Sequence, residues 1–409
     1  MEEIYERCCG LDVHRDTIVA CIMIGNGASK RKQIRTFSTY TEDLVVLRDW
    51  LKEQSIRQVA MESTGIYWTP IFDLLEHDFD LWLVNARHVK NVPGRKTDVK
   101  DSEWLCRLLK SGLLSKSFVP PKEFRRLRKL IRYRQSLQQD LVRVKNRVIK
   151  ILEASNIKLS RVFSDVFGLT SWTIIKKLVA GISDLEQLTS FIDRRCRASK
   201  EEIQKALRGT LDEHDRIMLR LMIQQVNALN LLTEEAEEQI KRNMAPFEEQ
   251  ASLLETIPGI SSISAASIIA EIGIDMEQFK SAGHLTAWAG ICPGNNTSGG
   301  KTLSTRIRKG NSHLKVVLVQ AGWAASKTKK SFLGAKYRSL ALRKSKKKAV
   351  VAIGRKLLVI TYHMLKDKRT YHELGADFLD SLEPERKAKY HEKRLEELGY
   401  YVTAVKRIA

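Results

Sequence analysis

Nowhere in its 409 residues does the chain hold an unbroken apolar stretch approaching the ~18 residues that a membrane-spanning helix needs. Its first residues, MEEIYERCC, lack the basic start and apolar run of a secretory signal. Cysteine is scarce. Six are present, two of them adjacent at Cys8 and Cys9, and no C-x-x-C pair occurs. That count excludes a disulfide scaffold, and the spacing excludes a C-x-x-C zinc or redox motif. No G-x-G-x-x-G follows the first β-rich run, which argues against a dinucleotide-binding enzyme. These absences predict a soluble protein of a reducing, cytoplasmic compartment. With 43% hydrophobic and 29% charged residues the composition is that of a folded globular protein, and the length leaves room for two or three domains.

Acidic residues are scarce in one long region. Residues 301–370 carry twenty Lys and Arg against a single acid, Asp367. Residues 121–150 carry eleven basic and two acidic residues, whereas 201–255 reverse the sign with twelve acids and six bases. The whole chain stands at +22. A merely soluble basic surface accounts for the total but not for the clustering, which is the footprint of a polyanion-binding protein. Phosphate contacts release counterions, so such blocks predict strong, salt-dependent and sequence-blind binding of nucleic acid.

Residues 8–118 read as an α/β domain. Cys8–Asp12, Thr17–Ile24 and Gln33–Thr39 are short β-rich runs, expected as an antiparallel meander. A helix over Glu42–Gln54, a strand over Gln58–Glu62, a helix over Trp68–Glu76, a strand over Asp80–Val84 and a helix from about Val99 to Lys110 follow. The order βββαβαβα is that of a ribonuclease-H-like layout. Further on, Leu127, Leu130, Arg134, Leu137, Leu141, Val144, Val148 and Ile151 alternate at steps of three and four, a heptad seam broken by Arg134. A second seam runs through Leu219, Met222, Val226, Leu229, Thr233, Ala236 and Ile240. Two such helices can pair within the chain or between subunits. The expected divisions are 1–120, an α/β domain; 121–250, a helical coiled-coil connector; 251–375, a mainly α domain with the basic block; and 376–409, a charged tail.

Four acids fall where chemistry could use them. Asp12 ends the first strand, Glu62 ends the fourth, and Asp98 and Asp101 lie three residues apart at a helix start. Residues i and i+3 share a helix face, and the first and fourth strands of a ribonuclease-H-like sheet are neighbours. Converging carboxylates need cations, and their hard oxygens suit Mg²⁺, two of which can clamp a phosphodiester. Singly, each acid has a plainer use; Asp98 could simply cap the helix.

The last third holds Thr256-Ile257-Pro258-Gly259-Ile260, a tight turn before an apolar helix, similar to a helix-hairpin-helix whose backbone N–H groups could meet a phosphate. A packed helix after a turn explains it equally. Residues 289–300 form a polar, Gly-rich segment ending Ser298-Gly299-Gly300, immediately before Lys301, Arg306, Arg308 and Lys309. By composition this is a phosphate-binding loop, with those cations and the run Arg343, Lys344, Lys346, Lys347 and Lys348 as backbone contacts.

Together, Gly10-Leu11-Asp12-Val13-His14, Met61-Glu62-Ser63-Thr64-Gly65, Lys96-Thr97-Asp98-Val99-Lys100-Asp101, Ile257-Pro258-Gly259-Ile260 and residues 293–300 resemble the DEDD-type insertion-sequence transposases, the insertion-sequence-one-ten family. The resemblance covers most of 1–330 in the right order and weakens after about 375. It implies a RuvC-like first domain, a coiled-coil connector and a C-terminal serine transposase domain. It places a divalent metal, Mg²⁺, on Asp12, Glu62, Asp98 and Asp101. It makes Ser298 the nucleophile of a transient phosphoserine link to DNA. The partners it implies are donor and target DNA, an element-encoded guide RNA that supplies sequence specificity, and further copies of the chain in a tetramer with composite centres across subunits. The setting it implies is a prokaryotic cytoplasm, at the nucleoid during the reaction. Two rival readings are a structure-selective, junction-resolving endonuclease that uses water at the acids, and a non-catalytic nucleic-acid-binding protein.

Overall fold

The computed structural model describes residues 3–85, 89, 101–190, 192, 196, 198–294, 296–304, 306–382 and 384–403. The chain divides into two compact units, Met1–Lys122 and Glu123–Ala409.

The first unit is built on a five-stranded sheet in the order β3-β2-β1-β4-β5. Strands β1 (Arg7–Val13), β2 (Thr17–Ile24) and β3 (Arg31–Ser38) form the antiparallel meander. Strands β4 (Gln58–Glu62) and β5 (Asp80–Val84) extend the sheet on the other side of β1 in parallel. Alternation along β1 sends Cys9, Leu11 and Val13 into one core with α1 (Thr41–Glu53) and α2 (Trp68–Leu75). Cys8 faces the other core, shared with Cys21, Ala60 and the apolar side of α3 (Asp101–Lys110).

Helix α3 lies directly on β1. A Cβ on Gly10 would collide with the Ser102 carbonyl oxygen and come within 2.5 Å of the Cys106 nitrogen, so glycine is what lets the two backbones touch. At the other end of α3, Lys110, 1% exposed, donates to the carbonyls of Tyr5 (2.9 Å), Glu6 (3.2 Å) and Gly25 (2.9 Å) and to Asn26 Oδ1 (2.9 Å). Lys110 beside Tyr5, Cys106 beside Cys8 and Ser102 over Gly10 show that α3 runs antiparallel to β1. Its amino end therefore arrives at the carboxyl end of that strand.

In the second unit the two seams become α4 (Lys122–Ala154) and α5 (Glu213–Met244). They pair with each other, antiparallel, within one chain. Leu141 and Val144 pack on Val226, Gln138 donates to Thr233 (3.4 Å), and Arg134 Nε meets Glu237 Oε1 at 2.7 Å. The residue that breaks the apolar seam thus carries its own counter-charge on the partner helix. Phe124 stacks on Phe247, just beyond α5, with ring centroids 4.6 Å apart. Short helices between residues 159 and 206, in the segment that joins α4 to α5, cover that end of the hairpin around Ile174, Ile175, Leu188 and Ile203.

The remainder is mainly helical: α6 (Glu248–Glu255), α7 (Ser262–Ile272), α8 (Ala282–Trp288), α9 (Ser312–Lys327), α10 (Phe332–Arg343) and α11 (Lys346–Asp367). Between α8 and α9 stand β6 (Asn296–Ser298) and β7 (Lys301–Ser304). The turn at Pro258-Gly259 joins α6 to α7 as expected, but a Cβ on Gly259 would come within 2.5 Å of the Ala321 carbonyl and the Ala325 nitrogen of α9. The turn is closed against that helix, which favours the packing explanation over a phosphate contact.

Candidate functional site

The candidate residues fall into two sets, one in each unit. In the first, β1 and β4 are parallel neighbours with Leu11 opposite Met61. One step further along the same ladder stand Asp12 and Glu62. Leu11 and Met61 belong to the α1/α2 core, so strand alternation turns Asp12 and Glu62 to the opposite face, that of α3. Both are half-buried. His14 Nε2 lies 3.2 Å from Asp12 Oδ2. Asp101 is the first residue of α3, which the Gly10 contact brings to this end of the sheet, and it is exposed. Asp98 lies outside the described residues.

Three of the four expected acids therefore stand at one end of one sheet, two of them side by side. Among the described residues, no three His, Cys, Asp or Glu side chains form a group that could hold a metal ion. The carboxylate donors suit a hard divalent cation. Among the described residues, Asp12 and Glu62 are an adjacent pair of carboxylates rather than a complete ligand set.

In the second unit the Gly-rich segment expected as a loop is a β-hairpin. Ser298 pairs with Lys301 across a two-residue turn, Gly299-Gly300, with φ of +54° and +76°. Two consecutive positive φ values belong to the tight turns that match strand twist, and glycine adopts them without strain. Below a register shift at Asn296/Thr297 the arms stay tied. Gly294 N–H donates to the Arg306 carbonyl (2.9 Å), Pro293 bridges Ile307, and Arg308 N–H donates to the Cys292 carbonyl (3.2 Å). At the mouth, Gly290 and Gly310 meet backbone to backbone, and a Cβ on Gly290 would lie 2.7 Å from the Gly310 nitrogen.

Ser298 is thus exposed at the tip of a hairpin, opposite a lysine, with Arg306, Arg308 and Lys309 exposed beyond the end of β7. The two histidines nearest in sequence are engaged elsewhere. His284 Nδ1 is 2.9 Å from Ser281 Oγ, and His313 Nδ1 is 2.8 Å from Gln135 Oε1. Burial, with Arg132 and Arg128 nearby, holds His313 below the usual histidine range despite Glu271.

The basic blocks sort by partner. On α4, Arg128 and Arg132 turn inward to Glu271, Arg134 to Glu237, and Lys145 lies 4.9 Å from the ring centroid of Phe167. Arg126, Lys129, Arg147 and Lys150 remain on the outer face with Arg143, which pairs with Asp140. In 301–370, Lys366 pairs with Glu277 at 3.3 Å; for the other cations of that block no ion pair is found among the described residues. Arg343, Lys344, Lys346, Lys347 and Lys348 are all exposed around the turn between α10 and α11. Ser345 caps α11 by accepting from Lys348 N–H (3.4 Å), so three lysines occupy a first helical turn. The positive end of a helix dipole disfavours cations there, and a bound anion would relieve it.

Glu271, which ties α4 to α7, is not among the residues that sequence reasoning selects. The one signal is a single acid inside an Ile- and Ala-rich helix, where an ionised group demands a partner.

Residues 9–157 match the family model of the DEDD transposase domain of IS110, described as a transposase, and residues 251–338 match the model described as "Transposase IS116/IS110/IS902 family". Together they cover more than half of the chain. Among curated proteins, the transposase for insertion sequence element IS1111A of Coxiella burnetii is 31% identical over 141 residues, which are 33% of this chain and 38% of that one. A probable family 20 transposase of Pseudomonas aeruginosa is 24% identical over 282 residues, 68% of this chain and 74% of the other. The pilin gene-inverting protein of Moraxella bovis is 33% identical over 126 residues, 30% and 38% of the two chains. The alignments thus span less than half of the Coxiella and Moraxella proteins and about three quarters of the Pseudomonas one.

Proposed function

The chain belongs to the IS110/IS116 family of transposases, and from that premise we propose that it cuts and rejoins donor and target DNA under the direction of an element-encoded guide RNA, with Ser298 as nucleophile. The observation that carries the proposal is the presentation of Ser298, an exposed hydroxyl at a Gly299-Gly300 hairpin tip beside Lys301. Glycines on one side leave room for a backbone phosphate to approach, and the cations around it stabilise charge on a phosphoryl group under attack.

The reaction is a pair of transesterifications. Ser298 Oγ forms an ester to phosphorus and gives up its proton as the deoxyribose oxygen leaves with a proton of its own. A hydroxyl of the second DNA strand then attacks that phosphoserine and releases the serine. The ester count is conserved, so rejoining needs no ATP.

Asp12, Glu62 and Asp101, with Asp98 beyond the described residues, are the acids proposed for a divalent cation of the Mg²⁺ type, which would supply Lewis-acid activation of a phosphodiester. Within the chain itself, His14 orients the Asp12 carboxylate, and Gly10 allows α3 to carry Asp101 to that end of the sheet.

The guide RNA and DNA are proposed to lie on the outer face of α4 and on the Arg343–Lys348 turn, and the concentration of exposed cations there supports this. A homotetramer is proposed as the working form. Its support is the apolar surface left on α5 after the intrachain pairing, where Ile217, Leu221 and Leu231 are 43%, 56% and 66% exposed.

Strand exchange between plasmids carrying the element's ends and its target tests the proposal. Ser298→Ala and Asp12→Asn should each abolish exchange while RNA and DNA still bind. Wild-type exchange by Ser298→Ala would leave a water-using, junction-resolving nuclease as the better reading.

A further inference from the structure

Glu271 is 2% exposed on α7, in a helix whose other buried residues are Ala, Ile and Ser. Arg132 grips it with both arms, Nε to Oε1 at 2.9 Å and Nη2 to Oε2 at 3.0 Å, and Arg128 Nε lies 3.1 Å from Oε2. Burial pushes the carboxyl up, but the hydrogen bonds of Arg132, the charges of Arg128 and Arg132 and the bond from Asn311 outweigh it, and the group sits below the usual carboxylate range. A buried ion cluster of this kind is not needed for packing, which apolar residues of the same volume do as well. Its remaining contact suggests the use. Asn311 Nδ2 donates to Glu271 Oε2 at 2.6 Å, while Asn311 Oδ1 accepts from Leu314 N–H at 3.1 Å and caps α9. One planar amide is therefore fixed at both ends.

Asn311 directly follows Gly310, half of the backbone contact that closes the mouth of the Ser298 hairpin. From there the arms are tied at Cys292/Arg308, Pro293/Ile307 and Gly294/Arg306. Ser298 lies six residue steps beyond Cys292, a length of about 20 Å for extended chain. A tilt of ~3° at the base moves its tip by ~1 Å, a displacement that can cost ~100-fold in rate.

We propose that Glu271, acting through Asn311, is the positioning residue that sets the aim of the Ser298 hairpin. This rests on the reading of that hairpin as the reactive element, but the tether has its own readout. Asn311→Asp keeps the α9 cap, since Asp is an equally good capping residue, and replaces the donated N–H with a carboxylate facing Glu271. Adding Glu271→Gln restores a hydrogen bond in the opposite sense, with the negative charge moved rather than removed.

Amide hydrogen exchange on the full chain, without nucleic acid, reads Gly294 and Arg308 directly. Asn311→Asp should speed their exchange at least tenfold while the α11 amides keep their protection. The double variant should return them to within about twofold of wild type. Asn311→Ser, which caps but does not reach Glu271, should resemble Asn311→Asp without the repulsion. In strand exchange the single variants should lose at least tenfold in turnover with unchanged nucleic-acid affinity, and the double variant should recover it. Unchanged exchange at Gly294 and Arg308 in both single variants, or no recovery in the double, would overturn the proposal. A failure of the serine chemistry would show separately, as wild-type strand exchange by Ser298→Ala, while the amide rates still judge the tether.

Discussion

A serine hydroxyl is a weak nucleophile, and around Ser298, the proposed nucleophile, the fold provides exposure and an adjacent lysine, while the two histidines nearest in sequence are engaged elsewhere. Asp12 and Glu62, by contrast, are defined by strand register, and their common face follows from β1/β4 pairing alone. Glu271 supplies the residue-scale prediction for acid. Its carboxyl titrates lower in the folded chain than in the unfolded one, so its contribution to stability is complete above the ordinary glutamate value of about 4.3. That contribution is lost as pH falls through the depressed folded value. The thermal midpoint of the second unit should fall more steeply with acidification in wild type than in Glu271→Gln, and parallel curves would contradict the linkage.

At the scale of elements, much is legible in the sequence because it is written as periodicity. The strand runs at Cys8–Asp12, Thr17–Ile24 and Gln58–Glu62 alternate or are β-rich, and the observed strands fall on them within a residue or two. Both heptad seams are long helices in the fold. What periodicity cannot contain is the partner. Contacts such as the Arg134–Glu237 pair, the Gln138–Thr233 hydrogen bond and the packing of Leu141 and Val144 on Val226 show that the seams close on each other within one chain. The Ser298 segment reads as a loop because its Gly and Asn content outweighs the hairpin signal, a Gly-Gly pair between two short Thr-containing runs. Glu271 is invisible to periodicity because its arginine partners lie about 140 residues away in sequence and Asn311 lies 40 away. Val144 is 2% exposed in the intrachain seam, so Val144→Asp should destabilise the helical hairpin by about 3 kcal/mol or more, read as a lowered urea midpoint. A change below ~0.5 kcal/mol, the range of ordinary surface substitutions, would argue that the seam is not packed.

At the scale of the whole molecule, charge is divided by role. Some cations of 121–150 are consumed internally by Glu237 and Glu271, while those around Arg343–Lys348 face outward and crowd the positive end of α11. Reversing Lys346, Lys347 and Lys348 to Glu should weaken binding about equally across nucleic-acid sequences. It should also flatten the plot of log affinity against log salt, by roughly 0.7–0.9 for each phosphate that is no longer neutralised. An unchanged slope would remove this turn from the interface. In the proposed reaction a strand break in DNA is stored as a bond to the protein. The most direct test is mass spectrometry of a wild-type reaction stopped with denaturant and digested with nuclease and protease. The expected result is a nucleotide phosphate attached to the peptide containing Ser298, absent from Ser298→Ala. An unmodified Ser298 peptide beside fully cleaved DNA with free ends would contradict it.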